Sequence, residues 1–120
     1  MLQRRPIMQW MLALVILGAA SGVVVAQSPP KMLGFDENSC RVWVASKDDP
    51  GQRREYVSWA RGFLSGHNYA NQKQQVSDVS YSTVEMFIER FCRDKPQAEF
   101  TEAAYRMSDR YSGRGAPITK

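Results

Sequence analysis

The chain has little of what chemistry on a substrate requires. Its 120 residues include one histidine and two cysteines. Catalysis needs a base, a nucleophile or a metal within reach of one another. The stretch Gly62-Phe63-Leu64-Ser65-Gly66 is not a G-x-S-x-G elbow. Ser65 and His67 are two apart, so they do not face each other on a helix. There is no P-loop, dinucleotide fingerprint or HExxH. Without a C-x-x-C pair, dithiol catalysis has no foothold. A zinc site of Cys40, Cys92 and His67 would lack a fourth ligand and zinc-like spacing. The sequence therefore predicts no enzyme, no cofactor and no metal. Nucleic acid is discounted as well. Lys and Arg exceed Asp and Glu by four, but they are scattered, and only Arg53-Arg54 and Arg110, Arg114, Lys120 are locally basic. The length suits one domain and excludes a repeat array.

What is present begins with an export segment. Arg4 and Arg5 precede an apolar run, and a small-residue stretch follows. Val24 and Ala26 suit positions −3 and −1 of a cleavage site, giving a signal peptide over 1–26; Gly18 and Ala20 offer an earlier one. The competing reading is an uncleaved inner-membrane anchor facing the periplasm, because Ile7 to Ala26 could span if tilted. Cleavage leaves 94 residues with a net charge of +2. Export places the protein in the periplasm, an oxidising compartment.

Residues 27–38, with Pro29, Pro30 and Gly34, read as an extended lead-in. Residues 39–111 read as a helical domain, and 112–120 as a flexible tail. Ser39 caps a short helix with Cys40, Trp43 and Val44 at i, i+3, i+4, although Val42-Trp43-Val44 also alternates like a strand. Asp49, Pro50 and Gln52 mark the start of a long helix, Pro50 to about Ala70, with a capping box. Its expected apolar stripe is Tyr56, Trp59, Ala60, Phe63, His67 and Ala70. Ser58, Gly62 and Gly66 form a stripe of small residues. A helical glycine costs about 1 kcal/mol relative to alanine, so a second helix passing close by is expected there; the alternative is a break at Gly66. Residues 71–81 read as a mobile surface loop. Ser82 and Glu85 form a second capping box, ahead of Val84, Phe87, Ile88 and Phe91. A Glu89–Arg93 pair at i, i+4 completes a solvated face. Pro96 opens a last helix through Phe100, Ala103, Ala104, Met107 and Tyr111. The expected fold is all-α: a small bundle of three main helices plus a short N-terminal one. Trp59, Gly62, Phe63, Gly66, Phe87 and Phe91 are the expected helix-packing residues.

In an exported chain of this size, Cys40 and Cys92 are expected to form one disulfide. His67 continues the Trp59 and Phe63 face as a packed histidine, with pH sensing as the competing role. The pattern S-C-R-V-W, W-A-R-G-F-L-S-G-H-N, F-C-R-D-K-P and E-F-T-E-A-A, over about residues 39–107, resembles a group of small exported proteobacterial proteins. It is also distantly similar to the HdeA/HdeB family of periplasmic acid-stress chaperones. The resemblance implies a helical fold and a disulfide between Cys40 and Cys92. The Trp59, Gly62, Gly66, Asn68 pattern belongs to the first group and departs from the chaperones. The resulting expectation is a non-enzymatic protein-binding domain acting as a chaperone-like acid or envelope-stress protein on unfolded clients. Below pH 3 the domain would carry a charge of roughly +15, loosening its packing while the disulfide holds. The alternatives are an immunity protein or inhibitor bound to one secreted toxin or hydrolase, and a structural subunit of an envelope assembly. A homodimer is possible under each reading, and membrane contact is expected only through an uncleaved signal segment.

Overall fold

The computed structural model describes residues 30–113 together with Gly18, Ser21 and Gly22. The rest of the signal segment, the first residues of the lead-in and the tail beyond Gly113 lie outside the described residues. The described part is all-α, with four helices: α1 (Cys40–Ala45), α2 (Pro50–Ala70), α3 (Tyr81–Asp94) and α4 (Phe100–Tyr111). A 3₁₀ turn, Ser46–Asp48, joins α1 to α2. Among the described residues, no helix is long and apolar enough to cross a membrane.

The first three helices each begin where a polar side chain satisfies an orphan N–H group, whereas α4 has no side-chain cap. The Ser39 hydroxyl accepts from Val42 N–H, which decides for helix over strand. The Asp49 carboxylate accepts from Gln52 N–H at 3.1 Å, and Pro50 sits in the first turn. The reciprocal half of the expected box is absent, because the Gln52 amide turns to Glu55 instead. In α3 the cap is Ser80, not Ser82, and Ser80 accepts from Thr83 N–H. The helix then carries Val84, Ile88 and Cys92 into the core at spacing four. The last helix starts at Phe100 rather than at Pro96. Residues 95–98 form a turn closed by Ala98 N–H on the Lys95 carbonyl. Among the described residues a single β-bridge pairs Ser39 with Glu99.

The core joins Trp43, Tyr56, Val57, Ala60, Leu64, Val84, Ile88, Phe100, Ala103, Ala104 and Met107. The buried stripe of α2 is thus Tyr56, Val57, Ala60 and Leu64, rotated from the expected one. Trp59 and Phe63 sit at its half-buried edge, and Ala70 is exposed. Val44 also faces solvent. The lead-in is bound to the domain. Phe35 packs edge-on against Tyr56 at 4.8 Å between ring centres, and the Leu33 carbonyl accepts from Trp59 Nε1. The Asn38 carbonyl accepts from Phe100 N–H at 2.7 Å. Ser112, expected in the flexible tail, is buried against the end of α4.

Candidate functional site

Cys40, first in α1, and Cys92, near the end of α3, form the disulfide, with their Cα atoms 5.2 Å apart. Both are at least 98% buried, which shields the bridge from solvent. It closes a separation of 52 residues, for which chain entropy gives a stabilisation of about 4 kcal/mol. Because the sulfurs bond each other, a zinc site of Cys40, Cys92 and His67 is overturned. Among the described residues no cluster suited to a metal ion forms elsewhere.

Beside the bridge lies a polar network that spans α1, α2 and α3. Trp43 is fully buried, and its indole N–H donates to Glu89 Oε2 at 2.9 Å. The Arg53 guanidinium stacks on the Trp43 ring, 3.8 Å from the centroid. It donates from Nε to Ser46 Oγ, from Nη2 to the Trp43 carbonyl and from Nη1 to Glu89. A largely desolvated cation over an indole is worth about 2 kcal/mol, and a hydrogen bond from a charged group about 1.5–3 kcal/mol. This network replaces the expected Glu89–Arg93 pair. Glu89 reaches across to other helices because Trp43 Nε1, once buried, needs an acceptor.

The 3₁₀ turn and the start of α2 form one wall of a groove of about 370 Å³, with Lys47, Pro50, Arg53 and Arg54 on that wall. Tyr81 and Glu85 of α3 form the other. The phenol of Tyr81 is held above its ordinary pKa, first by burial and then by the charge of Glu85.

A second groove, of about 530 Å³, runs between α2 and the segment after it. Arg61, Gly62, Ser65 and Asn68 face Gln75 to Val79 across it. That segment is the surface loop expected over 71–81 as far as Ser80, with Val76 as its anchored point. The Asn68 side-chain amide donates to the Val76 carbonyl at 2.9 Å and accepts from Val76 N–H at 2.7 Å, while Val76 itself is buried. Asn68 satisfies both backbone groups of one residue, as a neighbouring strand would.

The predicted packing residues divide accordingly. Phe87 meets Tyr111 edge-on at 6.0 Å, Trp59 stacks on Phe63 at 6.0 Å, and Phe91 lies under the Lys95 ammonium; all four aromatic residues of the prediction are half-buried. The two glycines do not pack. A β-carbon at Gly62 or Gly66 would meet nothing within 4 Å, so no helix passes there, and α2 does not break at Gly66. His67 is half-buried; its carbonyl accepts from the Asn71 amide and its ring lies 3.3 Å from Asn68 Oδ1. Sequence reasoning missed Lys47, Tyr81 and Val76; the groove that Lys47 and Tyr81 line is assembled from elements over thirty residues apart. The one available signal was Asn68, a polar amide in the last turn of α2.

No family model, curated protein or solved structure matches the chain.

Proposed function

We propose that the protein is an exported, non-enzymatic domain that acts by binding other polypeptides. The observation that supports this most is the outer face of α2. It carries two helical glycines with open space above them, between the half-buried rings of Trp59 and Phe63 and the groove of residues 61–79. Two glycines in mid-helix cost the free protein about 2 kcal/mol without any internal packing in return. An external polypeptide that needs close approach to the helix backbone accounts for that cost.

Chaperone-like holding of clients in acid is the first version. It draws on Phe63, Phe87 and Phe91, which sit at the rim of the core where loosened packing would release them first. His67 stands beside this rim on α2 and is the residue to vary in testing acid sensing. The buried disulfide would keep the loosened chain together. Immunity or inhibition is the second version, favoured by the two preformed grooves and the pinned 71–80 segment, which suit one dedicated partner at neutral pH. Suppression of client aggregation by the purified protein at pH 2–3, against tight one-to-one capture of a single partner at pH 7, separates them. A protein that does neither overturns the binding reading.

A further inference from the structure

From the two walls of the groove between α2 and α3, we infer a docking site for an extended polypeptide segment that carries an acidic side chain. The inference rests on the reading of the protein as a binding domain and names the chemistry of the segment bound. One wall holds three cations: Lys47 in the 3₁₀ turn and Arg53 and Arg54 near the start of α2. Arg53 is held rigid by Trp43, Ser46 and Glu89, with three of its N–H donors engaged. Among the described residues, neither Lys47 nor Arg54 pairs with a carboxylate. Two unpaired cations beside a fixed third make a wall that attracts an anion. A carboxylate accepts from such side chains through charge-assisted hydrogen bonds.

The opposite wall selects which anion. Glu85 and Tyr81 lie on it one turn apart, and the Glu85 carboxylate is an acceptor. Glu85 repels a doubly charged phosphate more than a singly charged carboxylate. A peptide bearing Asp or Glu fits both walls, because its carboxylate faces the α2 cations while its backbone N–H groups face Glu85. Space of about 370 Å³ admits an acidic side chain with the adjoining backbone.

The test titrates the disulfide-bonded protein with acetyl-tetraglutamate amide at low salt, in parallel with the Lys47→Glu/Arg54→Glu variant. Both side chains are exposed, so the variant is expected to keep the wild-type circular dichroism spectrum. Saturable binding is expected, weakened on the order of tenfold or more in the variant, which should take up acetyl-tetralysine amide in its place. No saturable binding, or binding that survives the charge reversal, overturns the inference. Inorganic phosphate or anionic lipid vesicles displacing the peptide at equal charge concentration would also overturn it. A natural partner captured equally by wild type and variant would sink this groove while leaving the binding reading standing; tetraglutamate binding lost on charge reversal, with no partner or client found for either protein, would do the opposite.

Discussion

The two faces of α2 differ in how completely they are used. The inner face and its N-terminal end are saturated. Tyr56, Val57, Ala60 and Leu64 are buried, Arg53 is stacked and bonded, and Cys40–Cys92 locks the neighbouring helices. The outer face is bare at Gly62 and Gly66 and is bordered by an open groove. One helix thus combines a corner that holds the domain together with a surface on which nothing in the domain leans. Stability and accessibility are separated along a single element, so changes on the two faces should have opposite signs.

Breaking the saturated corner gives the largest effects. Replacing both cysteines with alanine should cost about 4 kcal/mol, read from urea unfolding of oxidised wild type and variant. For a domain of this size that is a large part of the net stability. Arg53→Ala should cost about 2–4 kcal/mol, because it removes three hydrogen bonds from a charged donor to the Trp43 carbonyl, Ser46 and Glu89 and uncovers an indole face. A loss below 0.5 kcal/mol would show that the network is decoration. Asn68→Ala should cost about 1–2 kcal/mol and raise amide exchange over residues 74–80, since both backbone groups of Val76 lose their partner.

The smallest effect concerns alkaline pH. Tyr56, Tyr81 and Tyr105 are all held above the ordinary tyrosine pKa, chiefly by burial. Their contribution is complete below the unfolded value and is lost as pH rises through the folded value. Unfolding free energy should therefore decline above about pH 10, as the ultraviolet signal of phenolate rises. A flat profile there would contradict the burial of these rings.

Most of the helical frame was legible because its signals are local. Asp49-Pro50, Ser39 and the apolar spacing of α3 each act within a few residues. The disulfide was legible because only two cysteines exist in a chain with an export-like leader. What could not be read depended on partners far away in the chain. Glu89 meets Trp43 across 46 residues, and nothing next to Glu89 announces that. The rotated stripe of α2 has the same cause, since Val57 and Leu64 are chosen by what α3 and α4 present. The start of α4 was misplaced because Pro96 favours a helical first turn locally, whereas the Ser39–Glu99 bridge holds the chain extended there. The glycines misled because their spacing is the same for an internal and an external neighbour.

The most direct measurement is the unfolding free energy of the Gly62→Ala/Gly66→Ala double variant, from urea titration of the oxidised protein. With free space above both positions and helical backbone beneath, the variant should gain about 1–2 kcal/mol over wild type. A loss of stability would mean that this face is already occupied within the domain, and the division between a closed corner and an open surface would be wrong.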